Sequence, residues 1–148
     1  MTETPLTPEM LDPNYKHLPS SLVEVDAIDW MPTKYPGIDI KVLLNDESTG
    51  LLTALFRWAP GSVLPLHEHV EIEQTYVLEG SFEDDEGEVT AGNYISRPAG
   101  SRHVARSPKG AIILAMFLKP NVFFKANGEK EIFAGAATDQ APANSSSS

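Results

Sequence analysis

The chain contains no cysteine. That absence excludes disulfide stapling, thiolate metal sites and cysteine nucleophiles, and it is compatible with a cytoplasmic protein. Basic residues are scarce as well: 11 Lys and Arg stand against 21 Asp and Glu, a formal charge of −10. An acidic excess of this size repels polyphosphates and anionic lipid surfaces, so neither nucleic acid nor membrane is expected as a direct partner. Long apolar runs are missing, the longest being Ala111 to Leu118, about half of what a membrane-spanning helix requires. The opening M-T-E-T-P-L-T-P-E-M is polar and broken by proline, unlike the apolar core of a signal segment. A soluble, cytoplasmic protein is the expectation.

What is present is β-patterned. At 148 residues the chain suffices for one domain with a sizeable core. Residues 1–20, rich in proline and threonine, read as an N-terminal arm with one turn of helix around Pro8 to Asp12. From Ser21, L-V-E-V-D-A-I-D-W is expected to form a first edge strand. Ile38, Ile40 and Val42 alternate with Asp39 and Lys41, which predicts a half-buried strand. Asn45 to Gly50 turns it into L-L-T-A-L-F-R-W-A, which lacks clean alternation and is expected to be covered on both faces. Further short strands follow around turn signals, including Pro98 to Gly100, Pro108 to Gly110 and the pair Asn127-Gly128. The run E-D-D-E-G-E, Glu83 to Glu88, reads as a solvated hairpin tip; it lacks the spaced donors of a calcium loop. About nine or ten strands and no helix of average length predict an all-β sandwich or barrel over residues 21–133, with a flexible tail over 134–148.

Between Gly61 and His103 stand four competent metal donors: His67, His69, Glu73 and His103. In a strand, residues i and i+2 share a face, so His67 and His69 can converge on one ion. Glu73 has the same parity but lies too far along a straight strand at about 3.3 Å per residue. The chain must therefore turn between Val70 and Ile72, returning Glu73 from a neighbouring strand. His103 follows the Pro98–Gly100 turn, which can carry it back over the sheet as the last ligand.

The pattern Gly61-(five)-His67-x-His69-(three)-Glu73-(six)-Gly80 resembles the first motif of the cupin superfamily, and Gly92-(five)-Pro98-x-Gly100-(two)-His103 resembles the second. The second motif usually closes with Asn four residues after its histidine; here Ser107 stands at that position, which supports the fold and is not a ligand. The resemblance implies a double-stranded β-helix, or jelly roll, with a divalent ion held by the three histidines and Glu73.

Three imidazoles and a carboxylate suit Fe(II), Zn, Mn, Ni or Co. In motif and size the chain resembles the acetylacetone-cleaving and dihydroxyacetophenone-cleaving cupin dioxygenases, which implies cleavage of a carbon–carbon bond in a small diketone or hydroxyketone with O₂. Iron would serve that chemistry. The acetylacetone-cleaving type uses three histidines without the glutamate, so Glu73 counts against carrying over that substrate. The chain is also similar to the cupin domain of a zinc-binding anti-sigma factor, which implies a non-enzymatic sensor or small-molecule binder. Arg57, in an otherwise largely apolar strand, is a candidate for orienting an anionic ligand, against a plainer reading as a surface ion pair. Tyr94 is a candidate proton donor. Strands apolar on both faces, including Leu51 to Trp58, predict a homodimer.

Overall fold

The computed structural model describes residues 13–133. The helical turn expected at Pro8 to Asp12 and the flexible tail expected over 134–148 lie outside the described residues. After a 3-10 turn, Pro13–Tyr15, the edge strand expected from Ser21 does not form; Val25–Ala27 is a second 3-10 turn and Leu22 is 91% exposed. Side chains hold this segment where a ladder was expected. Lys41 Nζ donates to the Val25 carbonyl at 3.0 Å, and the Trp30 ring carries the Lys41 ammonium and the Arg57 guanidinium at 4.9 and 4.6 Å.

Among the described residues eleven strands follow: β1 (Met31–Pro32), β2 (Ile38–Asp46), β3 (Leu51–Trp58), β4 (Ser62–Glu68), β5 (Glu73–Asp84), β6 (Gly87–Thr90), β7 (Tyr94–Arg97), β8 (Arg102–Ser107), β9 (Ala111–Phe117), β10 (Val122–Phe124) and β11 (Lys130–Ile132). They form one curled antiparallel sheet in the order β1-β2-β3-β9-β5-β8-β4-β10-β11, with β6 and β7 attached to β5. The long strand β5 belongs to both halves. Its first residues, from Glu73, pair with β7 and β9, and its last, Ser81–Asp84, pair with β6. The bend comes at Gly80, whose φ is +69° and where a Cβ would sit 2.0 Å from the Gly110 carbonyl oxygen. Only glycine permits that approach.

The sheet's inner faces share one core, to which Ile38, Ile40, Ala54, Phe56, Trp58, Val77, Phe82, Ile113 and Phe123 contribute. Ile38 and Ile40 point inward as their alternation predicts. Val42, expected beside them, is 40% exposed, at the point where the ladder to β3 begins to shift register toward Leu44. In β3 the outward Leu55 is buried while Arg57 is exposed, so the second face is covered only in part. The curl brings the sheet's ends together: Tyr35 stacks on Phe123 at 4.6 Å between ring centroids, and Lys34 pairs with Glu131. Turns at Asp46–Gly50 and Lys125–Gly128 close the two predicted hairpins. Ser107 is fully buried and donates to the Ser81 carbonyl at 2.7 Å, a structural role at the position where the resembled motif carries Asn. The architecture is the all-β jelly roll expected.

Candidate metal centre

β4 and β8 pair with His67 directly opposite His103. Pro65 sits where this ladder shifts register between Leu64 and His67, a place where a strand tolerates a residue with no N–H. Its carbonyl, freed from the ladder, lies 2.8 Å from His67 Nδ1. His69 lies just past the end of β4, held by backbone bonds to Ser101 and Gly100 of 2.9 and 2.6 Å. The Pro98–Gly100 turn therefore positions two ligands, His103 by leading into β8 and His69 by these bonds. The three rings converge, with centroids 4.5 to 5.1 Å apart and one ring nitrogen of each within 4.8 Å of the others.

The tautomers follow from the outer nitrogens. His67 Nδ1 faces a carbonyl, which only accepts. His103 Nδ1 faces Asp84 Oδ2 at 2.7 Å. His69 Nδ1 is 2.9 Å from Ser101 Oγ, whose own proton goes to the Pro98 carbonyl at 2.7 Å. Each Nδ1 therefore donates, and each Nε2 is left with a lone pair. His69 Nε2 is buried without a hydrogen-bond partner among the described residues. Three converging lone pairs with no donor between them fit a cation, and the outward hydrogen bonds are those that orient metal-binding imidazoles. The cluster can coordinate a divalent metal.

Charge follows the same logic. Burial first, then the neighbouring His103, lowers His67 to about 4; burial, then His67 and His103, lowers His69 to about 3. Both stay neutral, as ligation requires. Burial raises Glu73 to about 7 against hydrogen bonds from Asn121 and Thr75 and the charge of Arg97.

Glu73 arrives differently from the expectation. The chain does turn at 70–71, but β5 does not pair with β4; Glu73 comes across the interior from the half containing β7 and β9. Its Oε1 lies 3.6 Å from His69 Nε2, while the mutual 4.8 Å set comprises the three histidines alone.

Arg57 and Tyr94 are not brought to this site. Arg57 points outward between the inward Phe56 and Trp58 and pairs with Asp39 at 2.8 Å, the plainer of its two readings. Tyr94 is 52% exposed and donates to Gln74 Oε1 at 2.8 Å on the outer face.

Asp84 and Arg97 do reach it, although the acidic run was read as a solvated tip and Arg97 had no assigned role. Burial by itself would raise the Asp84 carboxyl, but bonds from His103 and the Glu86 N–H, with the Arg97 charge, hold it below the usual range. Arg97 pairs with Asp84 and, at 3.0 Å, with Glu86. The available signal was parity: Phe82 and Asp84 share the inner face of β5.

His67, His103 and Glu73 line a mainly apolar cavity of about 40 Å³, walled also by Thr75, Phe82, Ile113 and Phe123.

Among solved structures, the chain is similar to a proposed acetylacetone dioxygenase from Methylibium petroleiphilum PM1, at 25% identity and a TM-score of 0.73 over 83% of this chain and 93% of that one. An acetylacetone dioxygenase from Acinetobacter johnsonii aligns at 24% identity and a TM-score of 0.73, covering 88% and 95%. A chain of the Rhodobacter sphaeroides complex of SigE with the anti-sigma ChrR aligns at 23% identity and a TM-score of 0.54, covering 63% and 50%. No curated protein matches. A family model described as the ChrR cupin-like domain matches residues 19–121, and with most of its length so matched the chain belongs to that cupin family.

Proposed function

We propose that the protein is a metal-dependent cupin oxygenase that cleaves a carbon–carbon bond of a small diketone or hydroxyketone with O₂. The observation that carries this reading is the convergence of three imidazoles, two of which, His67 and His103, line a small, mainly apolar cavity. His67, His69 and His103 would hold the ion. When bound, the ion supplies Lewis acidity toward the organic substrate and access to O₂. Phe82, Ile113 and Phe123 exclude water and favour an uncharged organic molecule. The cavity's size favours a substrate of few heavy atoms, and the likeness to the Methylibium protein points the same way.

One observation favours a second reading. Glu73 Oε1 stands 3.6 Å from His69 Nε2, close enough for a small movement to complete a four-donor zinc shell. A closed shell suits a sensor or binder, in keeping with the family description.

Metal analysis of protein purified without chelators, then oxygen uptake by the Fe(II)-loaded form with a panel of 1,3-diketones and 2-hydroxyketones, separates the two. Uptake with one class of ketone, abolished together with stoichiometric metal binding in His69→Ala, is the expected result. No uptake with any member, combined with tetrahedral zinc bound through Glu73, would leave the sensor reading in its place.

A further inference from the structure

Asn121 lies between β9 and β10, is buried, and lines the same cavity as His67, His103 and Glu73. Its backbone carbonyl accepts from the Phe133 N–H at 2.9 Å, and its Nδ2 donates to Glu73 Oε2 at 3.3 Å. Its Oδ1 is buried with no hydrogen-bond partner among the described residues. In its ionised form Glu73 sets the carboxamide's orientation: the carboxylate takes Asn121 Nδ2 on one oxygen and Thr75 Oγ1, at 3.5 Å, on the other. The cavity's other buried orphan, the donor Trp58 Nε1, cannot serve Oδ1. Trp58 pairs with Ala111 and Glu73 with Phe117, at opposite ends of β9.

An acceptor left bare in an apolar cavity is costly unless a donor arrives with the ligand. We propose that Asn121 determines specificity: its Oδ1 accepts a hydrogen bond from a hydroxyl group of the bound molecule, which makes the ligand class a 2-hydroxyketone and not a 1,3-diketone. This rests on reading the cavity as the substrate site of an oxygenase. A hydroxyketone brings one O–H donor beside its carbonyl. A 1,3-diketone in its enolate form brings acceptors alone and would leave lone pairs facing lone pairs. Sites built around a substrate hydroxyl reject analogues that lack it far more strongly than apolar pockets reject a change of size.

The test uses hydroxyacetone, methoxyacetone and acetylacetone as probes of the zinc-loaded protein, with dissociation constants read by ligand-observed NMR, a measurement that needs no turnover. Hydroxyacetone is expected to bind at least tenfold more tightly than the other two, and Asn121→Leu to bring hydroxyacetone and methoxyacetone within twofold of each other. The wild-type comparison decides whether or not Asn121→Leu folds. Equal wild-type affinity for hydroxyacetone and methoxyacetone overturns the proposal, with water as the partner of Oδ1, and leaves the oxygenase reading standing. Binding of none of the three overturns it as well, and the separate oxygen-uptake panel then decides whether the oxygenase reading falls with it.

Discussion

His103 Nδ1 lies 2.7 Å from Asp84 Oδ2, so a candidate ligand on β8 is fixed by a carboxylate from the far end of β5. The same carboxylate pairs with Arg97, and Arg97 also meets Glu86. The tip of the β5–β6 hairpin is thus tied to the metal centre through two buried side chains.

Asp84→Asn keeps the shape but weakens the acceptor that holds the His103 tautomer. Metal affinity should fall about 10- to 100-fold, the usual cost of losing such an outer partner. Chelator competition measures it. Affinity within twofold of wild type would mean that Asp84 does not orient His103.

Protonation gives the metal-free protein a stability optimum. The folded values of His67, about 4, and His69, about 3, are depressed below the usual 6.5, so the unfolded chain takes up protons first as pH falls. Their contribution is complete above pH 6.5 and is lost on acidification through those values. Glu73 has the opposite sign: raised from 4.5 to about 7, it favours the fold below pH 4.5, and this is lost as pH rises through about 7. Two rising contributions against one falling one leave stability climbing to about pH 6.5, declining slightly as pH passes through about 7 and level beyond it. Urea midpoints of the metal-free protein across this range test the prediction. A midpoint still climbing at about pH 8 would contradict it.

At Gly80 the backbone leaves no choice of residue. Gly80→Ala places a methyl against the Gly110 carbonyl and forces a non-glycine residue to φ +69°. The strain at such a position is about 1–3 kcal/mol before the clash is counted. A thermal melt should show the loss as a clear drop in Tm; an unchanged Tm would mean that β5 bends elsewhere.

Substitutions on the outer face should leave the site untouched. Arg57→Ala breaks a partly exposed pair with Asp39, worth up to about 1 kcal/mol, and Tyr94→Phe removes a surface bond to Gln74. Steady-state kinetics on an active preparation should give kcat and KM within about twofold of wild type. A raised KM in Arg57→Ala would restore that residue to the site.

The histidine set was legible because its spacing is local. His67 and His69 share a face by strand parity, and the turn signals around Pro98 mark the place from which His103 enters. The β-rich architecture was legible from short alternating segments and their turns. Arg57 was left between two readings because a charge among apolar residues says nothing about which way it points. Only the register of β3, with Phe56 and Trp58 inward, turns it outward. The segment from Ser21 was misread because alternation specifies a face to bury and not a partner to pair with, and Trp30 and Lys41 supply another attachment.

By itself, then, the amino-acid order determined the strands, the turns and the three histidines, since these depend on interactions within a few residues. The tertiary structure alone decided that Asp84 rather than solvent meets His103, that Glu73 crosses from the opposite half of the sheet, and that Asn121 holds in the cavity an oxygen with no partner among the described residues. Each of these depends on which distant strands become neighbours when the sheet curls at Gly80, and no local pattern encodes that pairing.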